Sequence, residues 1–564
     1  MKQKRRVIYE LNVNDNSRKL FFKMDKVINL GIPHVGELIF ESLEDEELVE
    51  CLEVSQTWKI LAENVLFKRW RYKIFEACEN GKGEVVKILL ERLDNENNEW
   101  NTRDEDGETA YYQACEGGHE NIVKLFLERY LDKNINLNAK DNYGWTALTS
   151  ACVEGHSNIV KMILDHYLER NIDLKTKDNA LTVHSLCNEF KTPFIAACYN
   201  EHTNVVKLIL DYHSATNNGP NAKIEDGGAA FRMACKKGHV EIVLLFLEYL
   251  DRKIEFNEVD SYGETALMTA CENGNKDVVK LLLEHSDRID LNARNNDGET
   301  AFIVACTKGH QNIVQLCLDH QQIEYNAVDI CGETGFMRAC RSGNKDVVKL
   351  LLQHSDRIDL NARKNYGKTA FMLACIFGHK GVVQLLLDVP VDIEVNARDD
   401  NGDTAFMIAC LEGKEEIIKL LLDYSERNID LNVRNDVGNT AFMMACIEGN
   451  EKVVKLFLNS DRKIEFNLQN DNGNTAFMNA CVEGHEEIVK LLLDHPYRKV
   501  DFDIKDKDGR TPFIIACQEE HEDIVKLLLE YSNVIDINIP ISFELSEGVK
   551  NLIDEQPRKR RKMA

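Results

Sequence analysis

The chain has 564 residues, too many for one compact core, so several domains or a repeat array are expected. Its 69 Lys and Arg against 95 Asp and Glu leave a formal charge of −26, which opposes binding to nucleic-acid phosphates and to anionic membrane. No run of about 18 apolar residues occurs, which excludes a membrane-spanning helix, and the absence of any Asn-x-Ser/Thr sequon points to an intracellular setting.

Residues 1–24 read as a basic and polar tail: Lys2, Lys4, Arg5 and Arg6 open it, and no apolar stretch follows, so no signal peptide is expected. Residues 25–73 have a pattern of their own. Ile32 and Pro33 open it, with proline suited to the first turn of a helix. Leu38, Ile39, Leu43 and Leu48 recur near helical spacing, and Val54, Trp58, Leu61, Ala62, Leu66, Phe67 and Trp70 continue the pattern. Glu44 to Glu47 read as a solvated helix start. So short a module buries too little surface to be stable alone and is expected to lean on a partner or on the segment that follows. Ile32-Pro33, Ile39-Phe40, Leu43, Leu48, Val54-Ser55-x-x-Trp58, Leu61-Ala62, Leu66 and Trp70 resemble the F-box, and the spacing agrees without a gap from Ile39 to Trp70. Ile32-Pro33 stands slightly out of register, and His34 and Gly36 replace the usual acidic and aliphatic residues. The resemblance implies a helical module that docks on the Skp adaptor of cullin-type ubiquitin ligases through Ile32, Pro33, Ile39, Phe40, Leu43, Leu48, Val54, Trp58, Leu66 and Trp70. The alternative is a cap that seals one end of a repeat stack.

From residue 74 to 537 the chain is periodic. Thirteen cysteines follow an alanine, from Cys78 to Cys517, at intervals of 34 to 37 residues except for 46 between Cys152 and Cys198. Such a period marks stacked supersecondary units. Equivalent cysteines on helices about 8–10 Å apart are too distant for a disulfide. One thiol per unit makes no zinc site, so these are expected to be buried, reduced and apolar in role. In the unit from Asn295, Asn296-Asp297-Gly298 is turn chemistry and Thr300 stands at a helix cap. Ala301, Phe302, Ala305 and Cys306 follow at helical spacing, and Gly309 ends the helix. Ile313, Val314, Leu316 and Leu318 make the stripe of a second helix, and Ile323 and Tyr325 lead out. Asp260 to Leu282 and Asp506 to Leu528 each run Asp-x-x-Gly-x-Thr, a short helix with Ala-Cys, and then a second helix opened by Val-Val or Ile-Val and rich in leucine. These residues resemble the ankyrin repeat, although Thr-Ala-Phe-Met usually replaces Thr-Pro-Leu-His, as at Thr404 to Met407. The resemblance implies an all-α solenoid of about thirteen helix pairs with short β-hairpin-like turns. Two units are irregular, at Leu174 to Phe190 and at Thr216 to Gly228; insertions of this kind are either drift in tolerant loops or part of a binding face.

Chemical motifs are missing. Gly367-Lys368-Thr369 resembles the end of a phosphate loop, but the earlier glycine would fall at Ala362. His119, His156, His239, His310, His379 and His485 come one per unit and read as local hydrogen-bonding residues. Acidic pairs such as Glu415-Glu416 read as a solvated face. No catalytic residue, cofactor or metal is expected. The array instead implies protein binding at turn tips and first helices, where Tyr143, Trp145, Tyr262, Tyr366, Arg338 and Arg341 are of the kinds that dominate interfaces. Residues 538–564 read as a tail. Its cluster Arg558, Lys559, Arg560, Arg561 and Lys562 fits either a nuclear-import signal or a solubilising end, so cytosolic or nuclear residence is expected. Two functions follow: the substrate-recognition subunit of a cullin-type ubiquitin ligase, with a Skp adaptor and an unidentified protein target as partners, or a plain interaction scaffold with a capped end.

Overall fold

The computed structural model describes residues 40–41, 43–70, 73–93, 99–169, 192–216, 226–249, 254–424, 427–495, 500–531, 535, 537 and 546–554. Two compact units divide the chain, Met1–Glu258 and Val259–Ala564.

Among the described residues, the first unit contains α1 (Asp45–Cys51) and α2 (Gln56–Trp70), followed by the short α3 (Ile74–Glu79) and α4 (Gly83–Arg92). α1 begins where Glu44 to Glu47 stand: Glu44 and Glu47 close a capping box, and acidic residues fill the first turn, where they offset the helix dipole. α2 packs on α1 and on α4. Phe40 and Trp58 meet edge to face at 5.7 Å. The seam to the repeats is polar at its rim. Trp70 Nε1 donates to Asp45 Oδ2 at 2.9 Å, Lys82 lies 3.4 Å from the same carboxylate and 5.3 Å above the Trp70 ring, and Arg92 pairs with Glu63 at 2.7 Å.

This packing changes the reading of the module. Phe40, Leu43, Leu48, Trp58, Leu66 and Trp70, expected as adaptor contacts, are all buried within the chain, and Val54 is half buried. The physical reason is economy of apolar surface. So short a module has a core only if nearly every large apolar side chain turns inward. Ile32, Pro33 and Ile39 lie outside the described residues.

Helix pairs continue through both units, from Ala110–Glu116 with Glu120–Lys133 to Pro512–Gln518 with Glu522–Glu530. In Ala301–Lys308, Thr300 caps the helix by accepting the Ile303 N–H, and Gly309 ends it at φ +82°. In the partner helix Gln311–Leu318, Ile313, Val314 and Leu318 are buried as expected, but Cys317 takes the inward place and Leu316 is only half buried. The substitution of Met for the usual His after the cap has a local use. The N–H groups of Thr369, Thr404, Thr440 and Thr475 each donate to the sulfur of the Met three residues on, at 3.4 Å, closing a capping box with a soft acceptor. Among the described residues no strand forms; the hairpin character of the turns is confined to isolated bridges such as Val328 to Thr334 and Arg398 to Thr404. The irregular unit 216–228 ends in a helix, Gly227–Lys237, whose cap residue Asp226 is left-handed and accepts the Ala230 N–H at its carbonyl, 2.8 Å away, rather than through a side-chain cap. Residues 174–190 lie outside the described residues.

Three ladders lock one repeat to the next. In the first, Asn292, Asn326, Asn361, Asn396 and Asn432 each donate to a carbonyl and accept an N–H of the following repeat, as Asn361 does with Asp392 O at 2.8 Å and Glu394 N at 3.0 Å. In the second, the repeating histidines donate from Nε2 to the end of the preceding first helix: His119 to Glu79 O, His239 to Tyr199 O, His310 to Glu272 O and His485 to Ile447 O, all within 3.0 Å. Where histidine is replaced, Asn344 and Asn450 do the same work. The third runs through arginines: Arg363 reaches Arg398 O at 2.6 Å, and Arg398 and Arg434 pair with Asp436 and Asp471 of the following turns.

The thirteen Ala-Cys thiols are buried and form no disulfide; a hydrogen bond with Cys317 and then burial push Cys271 up, and burial pushes up the others, Cys517 to about 12. Among the described cysteines only Cys331 is exposed. Residues 547–554, expected as tail, are helical, with Val549 buried and Glu522 beside Gly548. No helix among the described residues is long and apolar enough to cross a membrane.

Candidate interaction surface

The turns at Tyr143 and Tyr262 are each built by one acceptor. Asp141 Oδ1 takes the N–H groups of Tyr143 and Trp145 at 2.8 and 2.7 Å, and Asp260 Oδ1 takes those of Tyr262 and Glu264, both at 2.9 Å. This double acceptance pushes the intervening residues outward. Tyr143 and Tyr262 are accordingly 60% and 73% exposed at their tips, and Trp145 is half buried. Tyr366 is 76% exposed. Its turn is different, because Lys364 supplies no acceptor; Tyr366 itself lies in the left-handed region at φ 67°, ψ 22°. Ile330 and Val437 are exposed on further tips of the second unit and escaped sequence reasoning, which looked for aromatic and arginine residues alone. Comparing the two residues before each turn glycine would have found them.

Arg338 and Arg341 are not available in the same way. The Arg338 guanidinium binds Asp329, stands 3.0 Å from Glu333 and 3.3 Å from Glu299. Arg341 reaches Glu333 at 3.1 Å, and Lys364 reaches it at 2.6 Å. The Glu333 and Asp329 carboxylates are fully buried. Burial opposes ionisation of Glu333, but the Lys364 ammonium, with Arg338 and Arg341, overrides it and holds the carboxyl below its usual range. These cations neutralise buried charge that would otherwise be uncompensated. The opposite balance holds in the first unit. Burial, then Glu116, Asp104, Asp141 and Asp106, push Glu108 up to about 7.

No group of three or more His, Cys, Asp or Glu among the described residues is placed to hold a metal ion. The basic residues Arg558 to Lys562 lie outside the described residues.

The model of three consecutive ankyrin repeats matches residues 74–178, 174–255, 231–329, 320–399, 389–470 and 462–540. The chain belongs to the ankyrin-repeat family. Ankyrin repeats imply a protein-binding role and are generally non-catalytic interaction scaffolds. The ankyrin match begins where the polar seam at Trp70 and Lys82 ends the leading module, and no F-box family match is found for that module. No curated protein matches the chain.

Proposed function

We propose that this ankyrin protein is a non-catalytic interaction scaffold: its repeats hold another protein, and α1 and α2 close the first end of the stack. The observation that carries the reading is the division of labour in the turns. Polar side chains with recurring positions are spent on the ladders between repeats, whereas Tyr143, Tyr262 and Tyr366 project from the tips with large exposed faces. Such side chains bury large area at little entropic loss when a partner arrives. A photo-crosslinking residue placed at 262 or 366 in the full chain should trap one and the same polypeptide from cells, while the same group at Lys349 on a second helix should not. Equal trapping at all three positions sinks the assignment of the tips.

A second reading makes the chain the substrate-recognition subunit of a cullin-type ubiquitin ligase, with residues 25–73 docking on the Skp adaptor. It draws on the spacing from Ile39 to Trp70 and on Ile60, which is 49% exposed on α2. Burial of Leu48 and Trp58 means that substituting them tests folding, not docking. Ile60→Asp is the informative variant: it should abolish co-purification with the Skp adaptor while leaving the helical circular dichroism intact, and wild-type chain that never co-purifies removes the reading. Cytosolic or nuclear residence, with Arg558 to Lys562 as import signal, goes with either role.

A further inference from the structure

Along the second unit, the residue that follows the repeating Ala-Cys pair changes character. It is Thr307 and then Arg341 in two successive first helices, then Ile376, Leu411, Ile447 and Val482 in the next four. These four aliphatic side chains are all half buried, whereas the residues before them in the same helices, such as Ile408, Ala409 and Cys410, are buried. Their backbones are pinned by the second ladder. The carbonyls of Leu411, Ile447 and Val482 accept from Asn450, His485 and His521 at 3.4, 2.7 and 2.8 Å. Each of these first helices packs directly on the next. The four side chains therefore stand in one register at a helix-to-helix spacing of about 8–10 Å. One position further on, Glu412, Glu448 and Glu483 are exposed, and among the described residues they carry no ion pair. Other carboxylates nearby are engaged: Glu415 pairs with Lys452 and Glu416 with Lys380.

We propose that this stripe docks an extended basic segment of a partner protein, one that carries an aliphatic residue at every third position and Lys or Arg between. The proposal rests on the reading that the repeats bind protein. The pitch selects the conformation of the segment. A polyproline-II chain rises about 9.3 Å per three-residue turn and returns each third side chain to the same face, within the spacing of the stripe. A β-strand alternates its faces and puts its third residue on the wrong one. The row of unpaired carboxylates selects the charge. A basic segment gains from each glutamate it meets and from the field of a chain carrying −26, whereas an acidic one is repelled.

The test is fluorescence anisotropy of three labelled peptides on the full chain: repeats of Leu-Pro-Lys, of Leu-Pro-Glu and of Ser-Pro-Lys. The first should bind, and the other two should bind at least about tenfold more weakly, about 1.4 kcal/mol. Glu448→Lys with Glu483→Lys should weaken the first by about tenfold without altering circular dichroism, and Ile447→Ser should weaken it independently of charge. Equal binding of the Ser-Pro-Lys peptide, indifference to the lysine variants, or no binding of the first peptide overturns the proposal. A random displayed-peptide library panned in parallel separates the two levels. Selected peptides that ignore the lysine variants leave the scaffold reading standing without the stripe, and a library that yields none removes both.

Discussion

Tyr366 holds a backbone conformation that the other tip tyrosines, Tyr143 and Tyr262, avoid: theirs lie at ordinary φ and only the following glycine is left-handed. A side chain in that region costs about 1–2 kcal/mol, and a glycine there costs less, even after its own entropy loss. The exposed ring does not return that cost through packing. Strain of this kind, kept at an exposed aromatic, supports the proposed contact role of Tyr366. Tyr366→Gly should therefore raise the unfolding free energy by up to about 1 kcal/mol in urea titrations, and should reduce capture of the partner trapped from the tips. A variant that loses stability would show that the ring packs usefully within the chain. Arg338 teaches the converse. By sequence it was as good a contact residue as Tyr366, yet three carboxylates hold it inward.

At the scale of the helix pair, the ladders explain which features of the fold were open to reading. Ala-Cys spacing, threonine caps and glycine stops act within one repeat, so each was visible in a few consecutive letters. The partners of Asn361 and His485 were not, because they are backbone atoms over thirty residues away whose proximity exists only once the repeats stack. The same gap in range explains the leading module: its apolar positions were legible, but their division between a core and a docking face depends on what α2 packs against. The candidate site was half legible for a related reason. Exposure of Tyr143, Tyr262 and Tyr366 follows from the turn itself, whereas the Ile376–Val482 stripe appears only when equal positions of successive units are compared. The second ladder is open to direct measurement. His485→Ala leaves the Ile447 carbonyl without its donor, and losing a hydrogen bond in a part-buried setting costs about 1–2 kcal/mol. His485→Asn should recover part of that loss, since Asn450 serves the preceding repeat in the same position. If alanine and asparagine are equally destabilising, the ladder bond is not what the histidine contributes.

In the whole molecule these pairwise links mean that stability is nearly one-dimensional: each repeat answers chiefly to its neighbours. The consequence can be observed without any engineered probe. All four tryptophans, Trp58, Trp70, Trp100 and Trp145, fall in the first unit, whereas helices run through both. Tryptophan fluorescence therefore follows only the first unit in denaturant, and far-ultraviolet circular dichroism follows the sum. A chain that unfolds as one cooperative body gives coincident curves; an array with neighbour-limited coupling gives curves that separate. Gly473→Ala sharpens the comparison. Gly473 is left-handed at φ +82°, and an added Cβ would stand 2.6 Å from the Lys507 nitrogen, so the turn of its repeat must shift. The substitution should lower the dichroism midpoint by an amount corresponding to about 1 kcal/mol or more and leave the fluorescence midpoint where it was. Should both midpoints move together, the two units unfold as one, and coupling extends well past the nearest repeat.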